Sequence, residues 1–368
     1  MAPRATPPFR ADHVGSLLRT PALLRAREEN APDLRELEDE GIRAAVRMQE
    51  EIGLRLATDG ELRRASWHMD FIYRLGGVTR VPEEKLTVHF HGDKGDIDAV
   101  FSGMHVDGKL AVENTIFGDD FSFLRDTVTT AVPKLTIPSP SMVHYRGGRA
   151  SIDTSVYPDL DAFWADLTAA YREEVRGLGE LGCAYLQLDD TSLAYLNDPG
   201  QRAYVASIGG DPDRQHVEYI RHMNEALAGR PEGMAVTTHL CRGNYKSSWV
   251  ASGGYDFVAE ALFAELEVDG FFLEWDDERS GGFEPLRFLP KGKVVVLGLV
   301  TTKRGELEAK DDLKRRIEEA ARFTDVEQLC LSPQCGFSST SEGNALTADE
   351  QAAKLRLVVE VADEVWGS

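Results

Sequence analysis

Short apolar runs alternate with helical stretches along almost the whole chain, and this alternation restricts the fold more than any other feature. Eight runs have β-strand character, and each is followed by a stretch with helical character. Strands that alternate with helices predict a parallel sheet covered by helices. At 368 residues the chain fits a single (β/α)8 TIM barrel over residues 1–368. The runs are Phe9–Gly15, Leu54–Asp59, Lys134–Ser139, Ala184–Asp189, Met234–His239, Gly270–Glu274, Val294–Val300 and Gln328–Leu331.

The segment from about residue 79 to residue 130 interrupts this rhythm. It holds two stretches in which polar and apolar residues alternate, Leu86–His91 and Met104–Val112, with Gly and Asp scattered between them. Alternation with a period of two predicts strands with one buried face. We therefore predict a β-rich insertion after the second barrel unit, not an independent domain.

The composition limits the partners and the location. The 62 acidic residues exceed the 41 basic ones, which gives a formal net charge of −21 and argues against nucleic acid or an anionic membrane as a partner. There is no signal-peptide core and no apolar run of membrane-spanning length. Four cysteines are too few for a disulfide scaffold. We expect a cytoplasmic protein that could form a homo-oligomer.

Residues that can bind a metal lie at the ends of three of the runs. His239 and Cys241 are two positions apart, so on an extended backbone their side chains point the same way. Glu274 ends the sixth run, and Cys335 follows the eighth. A parallel barrel gathers its strand ends at one face. One nitrogen, one carboxylate and two sulfurs make a tetrahedral zinc shell, so we predict Zn²⁺ on these four residues.

Each candidate ligand taken alone also has an ordinary structural interpretation. A lone buried cysteine is usually a small apolar side chain, and that is our interpretation of Cys183 and Cys330. Glu274 has local rivals at positions 276–278. The shared placement at strand ends nevertheless favours zinc. A shell with two thiolates and a carboxylate is electron-rich, which suits activation of a thiol for alkyl transfer better than activation of water.

The chain resembles the cobalamin-independent methionine synthase family, specifically its C-terminal catalytic barrel and the shorter single-barrel members. The resemblance runs from the segment Phe9–Arg19, through the His-x-Cys pair, to the turn Cys335–Phe337. It implies zinc on the four ligands above and methyl transfer to homocysteine, which yields methionine. It also implies that Ser16, Glu61 and Asp189 bind the amino-acid part of the thiol substrate, as carboxylates suit an ammonium group.

Two departures from the family leave the alkyl donor open. Its long members carry an additional N-terminal barrel that helps to hold folate, and a histidine after the seventh strand that is thought to deliver a proton. We expect neither the additional barrel nor this histidine here. The segment after the seventh predicted strand reads Val300-Thr301-Thr302-Lys303 and contains no histidine. His68 is our candidate for the missing proton donor. Folate, a corrinoid protein and an epoxide all stay open as the source of the alkyl group.

Arg242 and Asn244 adjoin the ligands and are predicted to bind an anionic group of the substrate, either a carboxylate or a sulfonate. A sulfonate would suit the first alternative function, that of an epoxyalkane:coenzyme M transferase, in which a thiolate opens an epoxide. A second alternative is a zinc-free lyase on the related barrel of uroporphyrinogen decarboxylase. The third is a non-catalytic zinc protein.

Overall fold

The computed structural model describes residues 4–92 and 95–367. Within them, seven parallel strands form one curled sheet, and two antiparallel strands form a hairpin. The strands are β1 Leu56–Ala57, β2 Gly76–Phe90, β3 Ile97–Ala111, β4 Val132–Pro138, β5 Tyr185–Asp190, β6 Ala235–Leu240, β7 Gly270–Glu274, β8 Val294–Val300 and β9 Leu329–Pro333. The large sheet has the order β1-β4-β5-β6-β7-β8-β9, and the hairpin consists of β2 and β3. The predicted α/β class is confirmed, as is a β insertion into a parallel sheet.

Helices connect the parallel strands and pack on the outer side of the sheet. They are α1 Pro21–Glu28, α2 Leu34–Ile52, α3 Met69–Ile72, α4 Gly118–Thr127, α5 Ser141–His144, α6 Leu160–Glu180, α7 Ser192–Tyr195, α8 Pro199–Ser207, α9 Gln215–Leu227, α10 Ala259–Glu265, α11 Lys310–Ala320 and α12 Ala348–Trp366. Every residue of β8 is buried, as expected for a strand covered on both faces. No helix among the described residues has the length and apolar character needed to cross a lipid bilayer.

The first predicted strand, Phe9–Gly15, does not form a regular strand. Ala11 makes a single parallel bridge to Leu331 of β9, and Leu17 N donates to Gly60 O beyond β1. The segment thus lies between the two edge strands of the sheet without a full ladder to either. The side chain of Asp12 accepts hydrogen bonds from the backbone N–H groups of Phe9 and His13. These two N–H groups are therefore not available for hydrogen bonds to a neighbouring strand.

A buried ion pair holds this first segment inside the sheet. Lys134 Nζ lies 3.0 Å from Asp12 Oδ1 and donates to His13 O at 2.6 Å. Asp12 Oδ2 also accepts from the Tyr185 hydroxyl. Both charged side chains are 0 % exposed, so each depends on the other for compensation of its charge.

The insertion is shorter than predicted. The hairpin occupies residues 76–111, whereas α4 packs Phe121 and Leu124 into the protein core as part of the layer around the sheet. Backbone hydrogen bonds join the hairpin to barrel loops. His91 and Trp249 exchange two backbone hydrogen bonds, and Asp153 N donates to Val106 O. The hairpin therefore lies across loops that follow the strand ends instead of extending into solvent.

Candidate active site

The four predicted metal ligands come together at the carboxyl ends of three strands of the large sheet, β6, β7 and β9. His239 lies in β6 and Glu274 ends β7, while Cys241 and Cys335 follow β6 and β9. One ligand atom from each residue lies within 4.8 Å of all the others, and all four residues are buried. The two sulfurs are 3.5 Å apart, and His239 Nε2 is 3.9 Å from Glu274 Oε1. Four residues that are spread over positions 239 to 335 of the sequence thus lie together in the structure.

These residues fit a zinc ion by two independent observations. With Zn–S bonds of about 2.3 Å, tetrahedral geometry places two sulfurs about 3.8 Å apart, close to the separation found here. Both ring nitrogens of His239 and Glu274 Oε1 are buried without a hydrogen-bond partner within the described residues. Buried polar atoms are normally satisfied, so such orphaned atoms in one cluster point to a missing partner. A shared cation would satisfy the Glu274 oxygen and one of the two ring nitrogens together.

The cluster also retains protons that a cation would displace. The hydrogen bond from Cys241 lowers the pKa of Cys335 well below its usual value, while the same bond and burial raise the pKa of Cys241. Burial lowers the pKa of His239, but the Cys335 thiolate and the Asp189 and Glu274 carboxylates raise it to about 9. Burial also raises the pKa of Glu274 to about 7. Metal binding at such a site releases protons and depends on pH.

The acidic rivals of Glu274 are engaged elsewhere. Asp276 accepts from Lys303 Nζ at 2.8 Å and from the Thr301 hydroxyl, and Asp277 caps a short 3-10 turn through Arg279 N. Of the acidic residues at positions 274–278, Glu274 is the one that belongs to the cluster. Its own backbone N–H donates to the Tyr255 hydroxyl at 2.8 Å, which fixes the end of β7.

Arg242 does not occupy the predicted substrate-binding position. Its guanidinium donates to Gly253 O and lies 4.5 Å from the centre of the Tyr255 ring, fully buried behind the ligands. It does not line the large cavity described below. The prediction failed because adjacent residues on a strand end face opposite sides, so Arg242 points away from the face of Cys241. Through Tyr255, it supports Glu274 instead.

Asn244 does reach the cavity, because Gly243 turns the chain. Gly243 has φ +90°, and a Cβ at this position would meet the Tyr195 hydroxyl at 2.8 Å. Only glycine fits both restrictions. Asn244 Nδ2 donates to Gly336 O beside Cys335, whereas its Oδ1 is buried without a hydrogen-bond partner in the part of the chain that the structure describes. Its amide oxygen is thus available for a donor group of a ligand.

Two buried carboxylates, Glu61 and Asp189, lie beside the ligand cluster on the same cavity. Asp189 pairs in register with His239 on the neighbouring strand. Glu61 Oε1 accepts from the Thr136 hydroxyl at 2.9 Å, but Oε2 has no hydrogen-bond partner among the described residues. Burial raises the pKa of both groups, that of Asp189 to about 7. A cationic group bound between them would relieve this cost.

The backbone of Glu61 is strained. Its φ is +56°, a left-handed conformation that residues other than glycine seldom adopt. Such strain often marks functional positions, where the surrounding structure enforces it. Arg19 Nη2 donates to Glu61 O at 2.8 Å and thereby holds this turn. Ser16 lies nearby, its hydroxyl accepting from Ser338 N just beyond Cys335.

A cavity of about 800 Å³ connects these groups. Its floor contains His239, Cys241, Cys335 and the two carboxylates, while the hairpin forms its roof through residues such as Leu86 and Met104. The sequence predicted the two hairpin strands but not their position over the site. Tyr195 and Arg146 also line the cavity and were not predicted as site residues. Neither carries a sequence signal that separates it from ordinary aromatic and basic residues.

The chain is similar to known proteins along almost its whole length. The model for the catalytic domain of cobalamin-independent synthases matches residues 18–364. The chain belongs to the cobalamin-independent methionine synthase family. It is 46% identical to YxjH of Bacillus subtilis, a protein described as uncharacterized, over 98% of this chain and 95% of that one. Family membership indicates a methyltransferase.

Solved structures in the methionine synthase family agree. A protein from Listeria monocytogenes assigned as a vitamin-B12-independent methionine synthase is 36% identical, with a TM-score of 0.77 over 99% of this chain and all of that one. A B12-independent methionine synthase from Shewanella sp. W3-18-1, in complex with selenomethionine, has a TM-score of 0.70 at 20% identity over 97% of both chains, which shows the shared fold. The predicted family is thereby confirmed.

His68, the predicted proton donor for a member of this family, lies on the cavity wall. Its Nδ1 is 3.1 Å from the Ser66 hydroxyl, and its ring packs on Trp67 with centroids 4.4 Å apart. Burial and the nearby Arg146 lower the pKa of His68 to about 3. The imidazole is therefore neutral near pH 7, so it can donate a neutral N–H or relay a proton but does not carry a positive charge. Its catalytic role stays a prediction.

Proposed function

We propose that the protein transfers a methyl group to the sulfur of L-homocysteine, with Zn²⁺ held by His239, Cys241, Glu274 and Cys335. The observation that carries this proposal is that three residues of the buried ligand cluster and two buried carboxylates line one cavity. A bound zinc ion supplies a Lewis acid that keeps the thiol of the acceptor deprotonated at neutral pH. No other class of substrate makes equal use of a thiol-binding cluster beside an ammonium-binding pair.

The residues of the chain would orient the acceptor around this centre. Glu61 Oε2 and the Asp189 carboxylate would accept hydrogen bonds from its ammonium group, since both are buried and Glu61 Oε2 lacks a partner. Ser16 and the backbone around it would bind its carboxylate. The hairpin over the cavity would limit the access of water, so that the sulfur reacts with the alkyl donor. His68 would donate a hydrogen bond through its N–H to the departing group.

Calorimetry of the zinc-loaded protein with homocysteine and with coenzyme M tests the acceptor. We expect homocysteine to bind and Glu61→Gln or Asp189→Asn to weaken its binding by about 10-fold to 100-fold, because a buried charge-assisted hydrogen bond is lost. Coenzyme M has no amine, so its binding should not respond to these changes.

Glu84→Gln is the matched control, because Glu84 also lines the cavity but bonds to His105 on the hairpin. It should leave homocysteine binding unchanged. Tighter binding of coenzyme M than of homocysteine, with no effect of Glu61→Gln, would reject the amino-acid acceptor. The epoxide alternative relied on Arg242 as a sulfonate ligand, and the buried position of that residue removes this support.

A further inference from the structure

The cavity is larger than the proposed acceptor requires. Its volume of about 800 Å³ is in the range of sites that enclose drug-sized ligands. A four-carbon amino acid held between Glu61 and the metal ligands occupies only the floor. The space below the hairpin is therefore available to a second substrate, and its lining should reflect the chemistry of that molecule.

Arg146 provides an unpaired positive charge in this outer space. Its guanidinium lies 5.2, 5.0 and 5.7 Å from the ring centres of Tyr145, Tyr195 and Tyr204. Its hydrogen bond to Gln201 Oε1 is long at 3.5 Å. Within residues 4–92 and 95–367, no carboxylate forms an ion pair with it. The three rings fix the guanidinium without neutralising its charge.

Two hairpin residues add positive charge across the cavity. Arg80 Nη2 donates to the Ser102 hydroxyl at 3.2 Å, and Lys85 lies opposite Ser102 in the hairpin register. Neither has an ion-pair partner in the described part of the chain. The nearby Glu84 is already bonded to His105. In a chain with 62 acidic and 41 basic residues, three unpaired cations around one cavity are a specific feature, since acidic partners are abundant.

The position of Arg146 relates this charge to the reaction centre. Tyr195, on which Arg146 stacks, lines the cavity with its hydroxyl next to Gly243, two residues after the ligand Cys241. On its other side Arg146 is close enough to His68 to lower the pKa of that imidazole. An anion at Arg146 would thus lie one tyrosine ring away from the metal ligands and beside the candidate proton donor.

We propose that Arg146, with Arg80 and Lys85 of the hairpin, binds an anionic carboxylate or phosphate group on the methyl donor. The assignment of this anion to a second substrate rests on the proposed function. Arg146 determines specificity in this scheme, because planar bidentate recognition suits these anions. The hairpin contributes a binding face, so the donor is a small molecule enclosed between the hairpin and the sheet.

Titration of the zinc-loaded protein with citrate and with pyrophosphate, each with and without saturating homocysteine, tests this subsite. We expect at least one of the two anions to bind, and the preference between them to distinguish carboxylate from phosphate. Arg146→Gln should weaken that binding by about tenfold or more, the loss of a charge-assisted pair. Arg146→Lys should restore only part of it. Homocysteine affinity should stay unchanged in both variants.

Arg176→Gln is the matched control, because it removes the same charge from an exposed residue that pairs with Glu173 and Glu180. It should not alter anion binding. If Arg146→Gln does not fold, the double variant Arg80→Gln/Lys85→Gln on the exposed hairpin edge should still weaken binding several-fold. Absence of anion binding to the unchanged protein, or binding insensitive to both variants, overturns the inference. Failure of homocysteine to bind, with anion binding intact, rejects the proposed function instead.

Discussion

Replacement of Cys335 by serine should release the metal and abolish methyl transfer. Cys335 supplies one of two sulfurs to the cluster, and its Sγ lies 3.5 Å from that of Cys241. Changes in the outer shell of a metal site already cost about 10-fold to 100-fold in affinity or activity. Loss of a thiolate ligand should therefore reduce activity by more than about 100-fold and leave bound zinc well below one ion per chain. Metal analysis after gel filtration and a methyl-transfer assay measure both.

Cys183→Ser is the control for this change. Cys183 is buried outside the cluster, and its thiol donates to Tyr185 O, a bond that serine can also make. The control should keep both metal and activity. Full zinc binding in Cys335→Ser would refute the assignment of the ligands. Loss of zinc with retained methyl transfer would instead show that the transfer does not require this metal. Loss of zinc without any detectable methyl transfer in the unchanged protein would favour a structural metal site.

Replacement of Lys134 by methionine should produce the largest loss of stability outside the metal site. The ion pair with Asp12 is fully buried, so removal of Lys134 leaves an uncompensated carboxylate in the core. Such a change costs about 3–5 kcal/mol in the free energy of unfolding. Urea unfolding of the zinc-loaded protein measures it. Because the pair holds residues 9–13 inside the sheet, we also expect faster amide exchange in that segment.

Lys109→Met gives a surface comparison, since Lys109 pairs with Asp166 while 64 % exposed. It should cost at most about 1 kcal/mol. The double variant Asp12→Asn/Lys134→Met removes both charges and should be more stable than Lys134→Met alone. Asp12→Asn alone has its own effect on the free energy of unfolding. If the double variant were less stable than Lys134→Met by that full amount, Asp12 and Lys134 would not be coupled.

The interior strands could be predicted from sequence because their signal is local. The apolar run Val294–Val300 corresponds to β8 residue for residue, and Gly270–Glu274 corresponds to β7. The run Phe9–Gly15 carried a similar signal but became an irregular segment. Its backbone depends on the side-chain bonds of Asp12 and on Lys134, which is distant in sequence. Local pattern does not contain that interaction.

The clustering of the four candidate ligands could be predicted from sequence, but the direction of Arg242 could not. Residue type and strand-end position were enough to select His239, Cys241, Glu274 and Cys335, because few residues bind metals and barrel strands end together. Arg242 has suitable chemistry for an anion but faces Tyr255. Its direction depends on a turn and on packing that the residue type does not specify.

The sequence by itself determined the alternation of strands and helices, the four side chains that cluster as candidate metal ligands and the family, because all three are carried by residue type and order. Only the tertiary structure decided which groups share the cavity: the unpaired oxygen of Glu61, the hairpin roof and the tyrosine-bound Arg146. Those relations are between residues far apart in the chain. They arise from packing, hydrogen bonds and charge compensation in three dimensions, which no local pattern encodes.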